Sequence, residues 1–371
     1  MTLFKKIAAY TATAALIGTG TYYAVTSNSI QHTAHWKVVP SGGYWNYPCV
    51  AGDTLVLDGT YTYLSFGNVS GKKDSTIVIL GQNNPVMSNG FNFQDCNYWH
   101  ITGNILIKNA AGTAISISGK SNHFEVNGVT VDSAYYFVWF KTEPADHACD
   151  SSYWHSMNMD DFYLHDCVFK RAKQDGIYIG STDQNADRAV TCNGKTYFPL
   201  PATVSNIKVK RITITGTPRT GIQISGCTSG NNFIRRCNIS NCGNEFNPYQ
   251  GAGAALGGYD KNVDIAYDTI KNTYLNNLYS YGGSTISIHD NVFDSADICY
   301  GIKNPQVNAS ILLSATMPTT FQLRDNKIGY NNSNTSVVIY GISTYISDSS
   351  YTCNTGLITN NTGKQISVNC K

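Results

Sequence analysis

One pattern returns along this chain and governs what it can fold into: an apolar residue, four mixed positions, then a second apolar residue. It is written "ITGNIL", "VNGVTV", "LHDCVF", "VKRITI", "IRRCNI", "IAYDTI", "IHDNVF" and "LRDNKI", opening at Ile101, Val126, Leu164, Val209, Ile234, Ile265, Ile288 and Leu323. A weaker ninth copy, "ITNNT", opens at Ile358. The gaps between the eight are 25, 38, 45, 25, 31, 23 and 35 residues, a baseline of 23–25 lengthened by insertions. A second short strand precedes the next opener in most units: "AISISG", "GIYIGS", "GIQISG", "AALGGY" and "LYSYGG". Two or three short strands per unit cannot bury one face alone, so the units must stack and share a core. A leucine-rich repeat has this period but needs regularly spaced leucines, and a propeller blade needs about 40 residues. The pattern predicts an all-β chain, a parallel β-helix of roughly ten coils.

Side chains alternate along a strand, which sets the faces. In "GIYIG", Ile177 and Ile179 point inward and Tyr178 outward; in "GIQIS", Ile222 and Ile224 point inward and Gln223 outward. Cys167 and Cys237, at the fourth position of their units, are expected as small buried residues stacked in a ladder. Asn104, Asn291 and Asn326 hold the same position and are expected as hydrogen-bonded turn residues.

Composition narrows the function. Charged residues are 13% and net charge is +2, so no basic stripe marks a nucleic-acid partner. The strings GxSxG and HExxH are absent, which leaves a serine hydrolase or zinc protease unsupported. "MTLFKK" followed by the uncharged "IAAYTATAALIGTGTYYAV" makes residues 1–28 a signal peptide or, left uncleaved, a membrane anchor. The β-helix then occupies residues 36–371 of an exported monomer. Eleven cysteines follow residue 48, an odd number without any CxxC, so disulfides are admissible and a zinc site is not supported.

Three insertions interrupt the repeat, at residues 141–160, 181–206 and 243–253. The first two leave after the same strand in successive coils and should lie side by side. Each carries one cysteine, and Cys149 and Cys192 are expected to form a disulfide. The third enters that strand from its other end two coils later. Long loops on a rigid scaffold are where function concentrates. Asp175 is a candidate general acid/base or a turn cap. Arg219 is a candidate uronate clamp or elimination base, or a surface arginine paired with an acid. Glu143 and Asp150 are candidate partner carboxylates, and with Asp146 could hold Ca²⁺. Tyr178, Gln223, Trp154, Tyr153, His147 and Lys173 are candidates for holding a sugar chain, through ring stacking and polar contacts.

The opening "GDTLVLDGTY", then "GKKDSTIVI", then coils of some twenty residues resembles the pectate-lyase-like right-handed parallel β-helix superfamily, and within it secreted bacterial β-helix repeat proteins. The resemblance covers about residues 40–365. It implies a single-stranded, right-handed solenoid in which Val50–Gln82 is a strand-turn-strand entrance. It also implies polysaccharide chemistry, by lyase or hydrolase. The Asn-Thr-Asp and Gly-Asp-Asp strings of polygalacturonase-type hydrolases are absent. An inverting pair, carboxylates roughly 6.5–9.5 Å apart, would need Asp175 with Glu143 or Asp150. A lyase would need Arg219, Lys173 or Arg171 as base, often with Ca²⁺. The function expected is a secreted lyase or hydrolase acting on an extended, uronate-containing glycan; the alternative is a non-catalytic glycan-binding, adhesive or structural surface protein.

Overall fold

The computed structural model describes residues 22–23, 33–142, 157–181, 190–197, 202–245, 250–281, 284–296, 310–315, 320–329, 337–341, 356–359 and 362–363. Within them every regular element is a strand. Each coil visits three faces. In one coil the chain runs through Asn158–His165 on the first sheet, Val168–Ala172 on the second and Ile177–Ile179 on the third. It then steps to Thr203–Lys210, parallel to the strand where the coil began. Among the described residues the first sheet has 13 strands.

The repeat aligns rung for rung. Ile101 pairs with Val126, Val126 with Leu164, Leu164 with Val209, Val209 with Ile234 and Ile234 with Ile265. The column continues through Ile288 and Leu323 to Ile358. It also extends upstream: Leu55 pairs with Ile79, and Ile79 with Ile101. The entrance segment therefore already consists of closed coils, which is more than a strand-turn-strand lead-in. Its strand Thr60–Gly67 and the following Val86–Gln94 run over the second and third faces without a loop. Gly90 makes this continuity possible, because its φ of +90° is left-handed and a Cβ there would lie 2.0 Å from the Ala114 carbonyl oxygen.

Ile177, Ile179, Ile222 and Ile224 are fully buried, as alternation requires, and Tyr178 is half-buried facing out. Gln223 pairs with Tyr178 in the outward column, yet it is only 5% exposed. It is thus covered and does not form an open floor.

The corner between the first and second sheets needs one left-handed residue per coil. Asp166, Arg211, Arg236, Tyr267, Asp290 and Asp325 supply it, with φ between 52° and 61°. The next residue turns inward, so Cys167, Ile212, Cys237, Asp268, Asn291 and Asn326 stack inside the corner. The cysteines are buried free thiols. Asn291 Nδ2 donates to the Ile265 carbonyl at 2.9 Å, and Asn326 Nδ2 to that of Ile288 at 3.0 Å. Asn104 departs from the expectation. One extra residue in its turn leaves it exposed, and Ile105 takes the inward place beside Val129.

The corner between the second and third sheets closes on stacked glycines. A Cβ on Gly176 would sit 2.4 Å from the Gly221 oxygen, and one on Gly221 would sit 2.5 Å from the Gly253 oxygen. The first two insertions leave after Val138–Phe140 and Ile177–Ile179, which are paired neighbours. The strands that resume the helix start at Asn158 and Thr203, inside the stretches counted as inserted. Within the second insertion, Val190–Cys192 and Lys195–Tyr197 form an antiparallel hairpin. Its turn, Asn193-Gly194, has both φ angles positive, at 49° and 72°.

Candidate functional site

The outward face of the third sheet carries an aromatic strip beside the first insertion. Outward alternation places Trp139 next to Tyr178 on adjacent rungs. Their rings meet edge to face at 5.1 Å, and Tyr136 lies 5.0 Å from Trp139 and 5.0 Å from Tyr135. Lys141 Nζ sits 4.2 Å above the Tyr178 ring centroid and 5.0 Å from that of Trp139. The Trp139 indole N–H donates to the Lys141 carbonyl at 3.2 Å, fixing the ring. A cation held over π faces beside a row of rings suits a flat, hydroxyl-bearing ligand.

Asp175 lies at the corner below this strip and is 1% exposed. Its Oδ1 accepts the Thr220 amide of the next coil at 3.0 Å, so it caps the turn. Burial pushes its carboxyl up to about 6, against the opposing pull of the Thr220 amide and the Arg219 charge. Arg219 is clamped by Glu245 from the third insertion, through Nε and through Nη2 at 3.2 Å from Oε1. That carboxylate raises the guanidinium further and is itself lowered in turn. Burial and the neighbouring Asp175 push Tyr136 up to about 12, which keeps its phenol a hydrogen-bond donor. The amide oxygen of Gln174, next in sequence, is buried without a hydrogen-bond partner.

The fold therefore brings Asp175, Arg219, Lys173 and Tyr178 to one corner and its adjoining strand. Lys173 is exposed there. Arg171 faces away, paired with Asp132 at 2.6 Å. Glu143, Asp146, Asp150, His147, Tyr153, Trp154 and Cys149 lie outside the described residues. Cys192 is disulfide-bonded. Among the described residues no group of three or more His, Cys, Asp or Glu side chains could hold a metal ion.

Trp139, Tyr136, Lys141 and Glu245 are absent from the sequence-derived candidates. The signal for the first three was present: "YYFVWFK" is the rung before "GIYIG", and applying the same alternation to it places Trp139 outward. Glu245 gives no such signal, because only the turn of the third loop brings it back to Arg219.

A second cluster occupies the outer face of the first sheet. His165 Nδ1 faces Asp166 Oδ2 at 2.6 Å, and its Nε2 faces Glu125 Oε1 at 3.0 Å. His289 repeats the arrangement with Asp290 at 2.7 Å and Asp264 at 2.9 Å. Each histidine ties its own coil to the one before.

No family model matches this chain, and no curated protein matches it. Among solved structures it is similar to a GH136 lacto-N-biosidase from Eubacterium ramulus, at 11% identity and a TM-score of 0.44. That match covers 85% of this chain, which spans 62% of the lacto-N-biosidase chain. It is also similar to pectate lyase Pel9A, at 11% identity and a TM-score of 0.38, over 85% of this chain and 71% of that one. The mostly parallel, repeating β-helix rests on this chain's own strand pairing.

Proposed function

We propose that this is an exported polysaccharide-active protein that lays an extended glycan across the aromatic strip and hydrolyses it at the Asp175 corner. The observation that carries this is the Tyr136–Trp139–Tyr178 strip under Lys141, directly beside that corner. Hydrolysis is favoured over elimination by two features of the corner. Arg219, held charged by Glu245, cannot take a proton from carbon. Asp175, pushed up to about 6, keeps its proton in mildly acidic solution, where it can act as a general acid. Ca²⁺ binding by the first loop and a Cys149–Cys192 bridge belong to the same proposal, since paired loops would wall the strip on one side.

A second reading has its own support. Asp175 is 1% exposed and already spends one oxygen on Thr220, which suits a binding protein without chemistry.

The test is a panel of neutral glycans, pectins, alginates and glycosaminoglycans, with and without Ca²⁺, scored for new reducing ends and for ultraviolet absorbance of unsaturated products. New ends without absorbance are expected, lost by about 10²-fold or more in Asp175→Asn while binding persists. Activity should fall as pH rises through the Asp175 value of about 6, because the acid loses its proton. Absorbance would establish elimination instead. Binding without product would establish the second reading.

A further inference from the structure

The outward column that holds Trp139 continues toward the N-terminal end. Trp139 pairs with Ser116, Ser116 with Asn92, Asn92 with Ser65 and Ser65 with Trp45. A parallel column runs through Gly67, Gln94 and Ser118. The result is a band two residues wide on the sheet surface, with a tryptophan at each end. Rungs lie roughly 4.8 Å apart, so four steps separate the two indoles by ~19 Å. Trp45 is 61% exposed and its ring lies across Gly67, where a Cβ would meet Cζ2 at 3.5 Å.

The floor between them is polar and uncharged. Among the described residues, the side chains of Ser65, Asn92, Gln94 and Ser116 make no hydrogen bond, and Ser118 Oγ makes one, to the Phe93 carbonyl at 3.4 Å. Half-buried amides without partners on a flat sheet are left to bond whatever lies on it. Two rings that can stack, with uncharged donors and acceptors between, match a chain of pyranoses without ionised groups. A polyuronate would set its carboxylates against a floor that offers no cation. Lys141 stands at the far end, over Trp139 and Tyr178.

We propose that this band is a binding tract for a neutral glycan running along the helix axis, from Trp45 to the Trp139 strip. The proposal rests on the glycan reading above and sets its direction and substrate class.

The test is calorimetric titration with neutral oligosaccharides of increasing length and with oligouronates of equal length. Affinity for neutral chains should rise until they span the band, and oligouronates should bind at least tenfold more weakly. Trp45→Ala should cost long neutral chains about tenfold and short ones nothing, since stacking of one ring is lost. Asn92→Ala, on a rung whose interior neighbours are untouched, should cost long chains a few-fold. If Trp139→Ala abolishes binding while Trp45→Ala and Asn92→Ala leave long chains unaffected, the tract is wrong and the strip stands. Equal binding of oligouronates would overturn the neutral class. Failure of every glycan to bind would overturn both.

Discussion

Two buried aspartates show how the same residue in a stacked corner can call for opposite treatment. Asp268 takes the inward slot that holds Asn291 and Asn326 one and two coils on. Its Oδ1 accepts the Cys237 amide at 2.6 Å, while its Oδ2 has no partner. Burial drives its carboxyl well above the normal range. The native state therefore keeps a proton that the unfolded chain releases, and stability falls as pH climbs from about 4 through the folded value. Asp268→Asn keeps the useful oxygen and offers an N–H in place of the orphan, as Asn291 and Asn326 do with the carbonyl of the preceding coil. A higher melting temperature is expected, with a larger gain at pH 8 than at pH 5; equal values at both would refute the account. Asp260, pushed up to about 7, differs in that both its oxygens accept amides, from Cys227 at 3.0 Å and Gly258 at 3.1 Å. Asp260→Asn would turn an N–H against one of them and should cost about 1–3 kcal/mol in chemical denaturation. The sequence displays the slot, since position four of the six units from Leu164 on reads Cys, Ile, Cys, Asp, Asn, Asn. It does not display which oxygen lacks a partner, because that depends on the coil above.

At the scale of the element, the outer face of the first sheet is cross-tied by its histidines. Both ring nitrogens of His165 face carboxylate oxygens, so both must donate and the ring must be cationic. Asn127 Nδ2 approaches the same ring at 3.4 Å, and His100 stands 3.8 Å from the shared Glu125. Burial works against that charge, but the hydrogen bonds to Glu125 and Asp166 prevail and the folded value is raised. The tie is therefore whole below about 6.5 and is lost as pH rises through the raised value. Asp166, lowered to about 2 chiefly by Arg211, gives the opposite limb: its share is present above about 3.9 and fades as pH falls toward 2. Glu125 is 44% exposed, so solvent screening holds the tie to about 0.5–1 kcal/mol. His165→Gln should lower the melting temperature by roughly 1–3 °C at pH 5.5 and leave it unchanged at pH 9. The strings "LHDC" and "IHDN" were visible as copies of one unit, and the bond of each histidine to its own aspartate could have been guessed. The partner on the previous coil required the register, which the insertion between Glu125 and His165 hides.

For the whole molecule, the period alone gave the solenoid, but it missed the first coils. The segments "TLVL" and "IVILG" are too short to show the six-residue unit, and two of the strands they alternate with cross a corner unbroken. Among the described residues, the N-terminal end of the core is likewise a feature of register. Lys37 stands beside Leu55, where the next apolar rung would be, and binds the buried Asp53 at 2.7 Å. A charge at that place discourages another chain from adding its strand. Lys37→Leu combined with Asp53→Asn removes the pair without orphaning either member, and end-to-end oligomers are expected in light scattering; a monomer at all concentrations would count against it. The interior thiols carry a different consequence. Cys96, Cys167, Cys227, Cys237 and Cys242 are buried and free, with burial raising Cys96 to about 11 and Cys167 and Cys242 to about 12. Only the thiolate reacts, so among the described residues the interior carries five dormant nucleophiles, besides the half-buried Cys49 and the oxidised Cys192. Outside a reducing cell, a single excursion to the unfolded state would wake them all, and mispaired bridges would bar the return. The working lifetime of such a molecule is then set by how rarely it opens, a matter of rate more than of equilibrium.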